Sequence, residues 1–167
     1  MLIPLYWHGD SLHVILTKRT DRVEHHKGEI SFPGGARDLE DADLVATALR
    51  ESDEEIGLDA RHVEVVGRID DHITMSQFHV TAYVGALDPR LSPYVWRPHA
   101  AEVAAVLEVP IEHLLDPSNL VQDPRAPSGR AGQMQSFRFG EHVIFGATAR
   151  MLHNFLDIAA RGQVGRA

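Results

Sequence analysis

The chain has 167 residues with 44% hydrophobic content, which fits the core of one globular domain, and a single domain is expected across residues 1–167. Its formal net charge of -8 argues against broad binding to nucleic acid or to an anionic membrane surface, both of which select basic proteins. It contains no cysteine, which excludes disulfides, thiolate catalysis and cysteine-ligated zinc, and it has no apolar run long enough to cross a bilayer.

The first residues, MLIPLYWHGD, lack the basic, apolar and small-residue order of a signal peptide, so the expected compartment is the cytoplasm. Residues 2–6 and 12–16 predict two strands joined through Gly9 and Asp10 as a hairpin. Residues 17–27 are polar without a sustained period and predict a loop, followed by a short strand at residues 29–32. A helix is predicted over residues 43–56, because Val45, Ala48, Leu49, Ser52 and Ile56 recur at helical spacing and Gly57 supplies a left-handed stop. Residues 63–69 and 78–87 predict two strands connected by residues 70–77, and residues 91–101 are irregular. Another strand is predicted over residues 102–109, after which Pro110 opens a short helix through Leu115. The Pro-, Gly-, Ser- and Asp-rich residues 116–132 predict an exposed loop. Residues 135–139 and 142–145 predict a second hairpin around Gly140 and Glu141. A closing amphipathic helix over residues 147–160 carries Ala147, Met151, Phe155 and Ile158 along one side. Strands interrupted by one long helix and closed by another predict an α/β arrangement with helices on both faces of a sheet.

The helix over residues 43–56 has a charge pattern that calls for a cation. Glu51 and Glu55 are four residues apart with Glu54 beside them, so like charges share one stripe and repel. Asp53, Glu54 and Glu55 also crowd the negative end of the helix dipole. Arg50, four residues before Glu54, can neutralise one carboxylate. A hard divalent cation, Mg²⁺ or Mn²⁺, held by Glu51 and Glu55 explains the remainder, and a solvated acidic face is the plain alternative. Phe32-Pro33-Gly34-Gly35 places two unhindered backbones ahead of this helix, where a carbonyl or N–H can approach a metal or phosphate closely.

Gly35, Arg50-Glu51, Glu54-Glu55, Gly57 and Leu58 resemble the signature of the Nudix hydrolases, written G, five residues, E, seven residues, REU, one residue, EE, one residue, GU. The matching stretch is residues 35–58. It departs at the first acidic position, where Asp41 replaces Glu and eight residues rather than seven precede Arg50. That Asp, with the run Thr47-Ala48-Leu49-Arg50-Glu51, resembles the coenzyme A pyrophosphatase branch. The branch carries a second motif, LLTxR, then S or A, three residues, R, three residues, G, three residues, FPGG. This chain supplies Ile15-Leu16-Thr17-Lys18-Arg19, Thr20, Gly28 and Phe32 to Gly35, but has Glu24 where the motif has Arg. The reversed charge opens the question of substrate and leaves the hydrolase resemblance intact.

The resemblance implies an α/β/α sandwich built on a mixed β-sheet. It implies Glu51 and Glu55 as principal ligands of Mg²⁺ or Mn²⁺, Glu54 as a further ligand directly or through water, the Gly35 carbonyl as a backbone ligand, and Arg50 as the group that orients the carboxylates. Nudix enzymes take the proton from water either with a Glu of the signature helix or with one from a later loop. Glu102 is the candidate outside the helix, ahead of Glu141 and Glu112. Lys18, Arg19, Arg22 and Lys27, with the backbones of Gly34 and Gly35, are candidates to cradle a phosphate against the negative overall field. Arg22, His25 and His26 are candidates to replace the Arg missing at Glu24. Tyr94 and Trp96 either stack on an adenine or have a packing or lid role. The expected activity is hydrolysis of the diphosphate in coenzyme A or its derivatives to 3',5'-ADP and 4'-phosphopantetheine, so the expected partner is a small nucleotide. Hydrolysis of another nucleoside diphosphate derivative, such as ADP-ribose, NADH or a nucleoside triphosphate, is the alternative. A non-catalytic ligand sensor is disfavoured by the intact Arg50, Glu51, Glu54 and Glu55.

Overall fold

The computed structural model describes residues 1–23, 26–74, 77–123 and 135–162. In chain order its strands and helices are β1 (Leu2–His8), β2 (Ser11–Arg19), β3 (Ile30–Ser31), α1 (Leu44–Ile56), β4 (Val63–Arg68), β5 (His72–Ile73), β6 (His79–Val80), β7 (Tyr83–Leu87), β8 (Val103–Pro110), α2 (Ile111–Leu115), β9 (Leu120–Gln122), β10 (Gln135–Phe139), β11 (His142–Ile144) and α3 (Gly146–Ala160).

The alternation in β1 and β2 divides the core into two layers. Successive side chains of a strand point to opposite faces. Ile3, Val14 and Leu16 pack with Ala149, Met151, Leu152 and Phe155 of α3, whereas Leu2, Tyr6 and Ile15 pack with Ala48 and Ile56 of α1. Helices therefore cover both faces of the sheet, as the α/β/α expectation requires. The main sheet runs β3-β2-β1-β7-β4, with β8 also pairing β2. It is mixed, because β1 and β7 are parallel while β1–β2, β2–β8, β2–β3 and β4–β7 are antiparallel. Smaller sheets are formed by β11-β10-β9 and by β5-β6.

Three expectations need correction. Residues 17–19 are strand rather than loop, because β3 pairs with Thr17 and Lys18 while β8 pairs with β2 from His13 to Arg19. Distant partners supply hydrogen bonds that the polar local sequence does not advertise. Residues 78–87 form two strands. β6 pairs with β5, inside the stretch expected to be a connection, while β7 joins the main sheet. The expected loop at residues 116–132 contains β9, which pairs with β10; residues 124–132 of that stretch lie outside the described residues.

Helix α1 begins where the Asp43 side chain accepts the Ala46 N–H at 2.8 Å. It ends at Gly57, whose φ of 70° allows its N–H to reach the Asp53 carbonyl at 2.8 Å and the Leu58 N–H to reach Ser52 at 3.3 Å. The helix is turned so that Thr47 and Glu55 are buried beside Ala48, Ser52 and Ile56, leaving Val45 and Leu49 only half-buried. Its last turn has no basic side chain. The irregular segment before β8 takes that place: Arg97 N–H donates to the Ile56 carbonyl and His99 N–H to the Glu55 carbonyl, each at 2.9 Å. This fastening brings residues 97–102 to the carboxylate end of α1.

Candidate active site

The site forms where the Gly-rich turn closes onto α1. Phe32 is buried in the α3-side layer, and the Pro33 carbonyl accepts the Leu2 N–H at 2.9 Å, so the turn is held to the sheet. A Cβ placed on Gly35 would lie 2.5 Å from the Glu51 carboxylate carbon. Only glycine lets the backbone approach that carboxylate this closely. The neighbouring Gly34 N–H favours the ionised form of the Glu55 carboxylate.

Glu55 is only 5% exposed, and its Oε2 is buried without a hydrogen-bond partner. Burial pushes its pKa up to about 7; Arg19 opposes the shift, Glu51 and Glu102 add to it, and the Gly34 N–H opposes it. The Glu51 carboxyl is also pushed up, first by burial, against the pull of Arg50 and with Glu54 and Glu102 adding. Two carboxylates that are costly to ionise thus face the same turn.

Arg50 is the hub of the charged network. Its Nε and Nη2 donate to the two oxygens of Asp41 at 3.0 and 3.1 Å, Nη1 to Glu54 at 3.0 Å, and Nη2 to the Ala36 carbonyl at 3.2 Å. Nη2 also lies 3.1 Å from Glu51 Oε1. Asp41 is 8% exposed and further accepts the Thr47 hydroxyl at 2.8 Å and the Asp38 N–H at 3.0 Å. The Arg50 guanidinium, foremost among these contacts, holds its carboxyl well below the usual range. Asp41, read from the sequence only as a departure from the signature, is therefore the group that fixes Arg50. Its place at the signature's first acidic position was the available signal.

The remaining candidates divide by where the fold puts them. Glu102 precedes β8, and its charge bears on both Glu51 and Glu55. Arg19 ends β2 near Glu55, half-buried, with Nε buried and unpartnered. Lys18 is half-buried while Arg22 and Lys27 are exposed, and Arg19 and Arg50, rather than these three, are the leading cations acting on Glu55 and Glu51. Glu112 and Glu141 are exposed in α2 and at the β10–β11 turn. Glu24 and His25 lie outside the described residues; His26 is exposed, with Nδ1 3.0 Å from Glu29 Oε2. Tyr94 and Trp96 pack against each other with ring centroids 4.5 Å apart, and Trp96 meets Tyr6 edge-on at 5.9 Å. Trp96 Nε1 donates to Glu108 at 2.6 Å, so the geometry matches the packing alternative. A cleft lined by Arg61, His62, Asp88 and Arg90 contains none of the carboxylates of the site.

A divalent cation fits this arrangement. The orphaned Glu55 oxygen, the raised carboxyls and the cradle that a Cβ on Gly35 would fill all favour a hard positive charge beside Glu51 and Glu55. Among the described residues no three His, Asp or Glu side chains converge as a ready metal cage. Arg50 engages both Glu51 and Glu54, and the carboxylates that meet the Gly-rich turn are Glu51 and Glu55.

Comparison with known proteins agrees with this geometry. The family model described as the NUDIX domain matches residues 5–128. The chain is 36% identical over 157 residues to the peroxisomal coenzyme A diphosphatase NUDT7 of Mus musculus, covering 90% of this chain and 65% of that protein's length. It is 33% identical over 140 residues to the uncharacterized Nudix hydrolase NudL of Photorhabdus laumondii, covering 84% of this chain and 73% of that one. In fold it is similar to the crystal structure of a Nudix hydrolase from M. smegmatis, RenU, with a TM-score of 0.64, 16% identity, and coverage of 96% and 83% of the two chains.

Proposed function

We propose that this chain, which belongs to the Nudix hydrolase family, uses water to cleave the diphosphate of coenzyme A or an acyl or oxidised derivative, releasing 3',5'-ADP and a 4'-phosphopantetheine. The Glu51–Glu55 pair beneath Gly34 and Gly35, with Glu55 buried and one of its oxygens lacking a partner, is the observation that carries the hydrolytic reading. The substrate reading is supported by the branch motif in residues 15–35 and by likeness to a protein named a coenzyme A diphosphatase.

Nudix hydrolases generally use divalent metal ions; Mg²⁺ or Mn²⁺ held by Glu51, Glu55 and the Gly35 carbonyl would neutralise diphosphate oxygens and make water more acidic. Arg50, locked by Asp41, holds Glu51 and Glu54 in place. Arg19 holds a phosphate oxygen, a role supported by its half-buried place at the end of β2 and by its charge acting on Glu55. Glu102 takes the proton of the attacking water as the new P–O bond forms and the bridging P–O bond breaks. Its half-exposed carboxylate stays in contact with solvent, to which that proton is then released.

Glu24, in place of the motif's Arg, favours a second reading in which another nucleoside diphosphate derivative is the substrate. A panel of coenzyme A, 3'-dephospho-coenzyme A, ADP-ribose and NADH with Mg²⁺ separates the two. The highest kcat/KM is expected on coenzyme A. Turnover of ADP-ribose or NADH without turnover of either coenzyme A form would overturn the substrate assignment.

A further inference from the structure

We infer that Thr20 is a positioning residue for hydrolysis, gripping the segment that carries Glu102 so that this carboxylate stays aligned with Glu51 and Glu55. The inference rests on the reading of Glu102 as proton acceptor. The branch motif has Ser or Ala at this position, so the motif itself assigns the hydroxyl no task.

Thr20 directly follows β2 and is 9% exposed. Its hydroxyl donates to the Ala101 carbonyl at 2.8 Å, and its backbone N–H donates to the Glu102 carbonyl, also at 2.8 Å. The same hydroxyl oxygen accepts the Arg22 N–H at 3.3 Å. One residue therefore holds both carbonyls flanking the Glu102 peptide nitrogen and Cα. The grip extends the β2–β8 ladder past an irregularity, because the register shifts between Lys18, opposite Ala105, and Arg19, opposite Val103. Bulges of this kind re-aim side chains and weaken regular pairing, so the strand's start is secured by the two Thr20 bonds together with the turn in which the Glu102 and Val103 N–H groups donate to the His99 carbonyl, each at 2.9 Å.

The Glu102 side chain does not secure itself. It is 48% exposed, and its contact is a long one, 3.3 Å to His99 Nδ1. On the other flank the segment is tied to α1 through the Arg97 and His99 N–H groups. Glu102 thus hangs between the end of α1 and the end of β2, and its carboxylate is placed by backbone bonds to those two elements. Losing the hydroxyl bond leaves the Thr20 N–H as the remaining Thr20 bond on the β2 side and widens the range of positions that the carboxylate samples.

The test compares Thr20→Val, Thr20→Ala, Thr20→Ser, Glu102→Gln and the Thr20→Val/Glu102→Gln double variant on the best substrate of the panel, alongside hydrogen exchange of residues 97–103. Loss of one hydrogen bond corresponds to about a threefold to tenfold fall in kcat, with KM nearly unchanged, for the Val and Ala variants. Thr20→Ser is expected to restore parent turnover and parent exchange. The double variant is expected to be no slower than Glu102→Gln alone, because a misplaced carboxylate that is already absent costs nothing further. Parent-like turnover of Glu102→Gln would overturn the Glu102 reading and this inference with it. Impaired Glu102→Gln beside parent-like Val and Ala variants would overturn the Thr20 inference alone, as would full multiplication of the two defects in the double variant. If Thr20→Val does not fold, the Ala and Ser pair decides, and equal defects in both would also overturn it.

Discussion

Glu55→Gln turns the burial of Glu55 into a measurable pH dependence of stability. The folded protein holds the Glu55 proton up to about pH 7, against an ordinary value of 4.5. Between these values the folded state binds more protons than the unfolded chain, so this group's contribution to stability is full below the lower value and is lost as pH rises through the upper one. The interval corresponds to a ceiling of about 3 kcal/mol. Gln cannot ionise and escapes this loss, while any pH-independent cost of burying its amide cancels when the variant is compared with the parent at two pH values. Glu51, raised for the same reason, adds to the parent's decline and is eased when its neighbour loses charge. Urea unfolding in the presence of a chelator, at about pH 4.5 and about pH 8, is expected to show Glu55→Gln gaining on the parent by about 2 to 3 kcal/mol across the interval. A difference that stays flat with pH would refute the argument that burial, rather than solvated proximity, governs this carboxylate.

The same linkage predicts that Mg²⁺ raises the parent's Tm more at about pH 8 than at about pH 6, because a hard cation needs the ionised carboxylates; thermal scans in both buffers check this. Gly35→Ala puts a Cβ into the Glu51 carboxylate and is expected to cut turnover about tenfold or more and to weaken Mg²⁺ binding by calorimetry. Arg50→Lys keeps the charge but cannot hold Asp41 through a two-pronged contact while also reaching Glu51 and Glu54. Its kcat is expected to fall about tenfold to a hundredfold with the fold retained by circular dichroism. Glu24→Arg is expected to improve kcat/KM on coenzyme A more than on 3'-dephospho-coenzyme A, by up to about tenfold; an equal change on both would indicate a general field effect that added salt screens.

The parts of this protein legible in its sequence are those fixed over a few residues. Asp43 and Gly57 mark the ends of α1 because capping is local chemistry. Glu51, Glu54 and Glu55 fall together because helical spacing puts them there, and Gly9 and Asp10 turn β1 into β2 because the turn and the flanking alternation agree. The need for glycine at Gly35 was also readable, although the group that approaches it, Glu51, was not. Long-range packing decided the rest. Residues 17–19 became strand through pairing with β8, more than eighty residues away in the chain for each pair. That pairing, and the register shift within it, placed Arg19 where its charge acts on Glu55. The burial that raises Glu55, the capture of Arg50 by Asp41, and the delivery of Glu102 along the open carbonyls of α1 depend on which surfaces meet. Sequence spacing determines which side chains share an element and a face, whereas burial, and with it the cost of a charge, is set by what the rest of the chain places over that face.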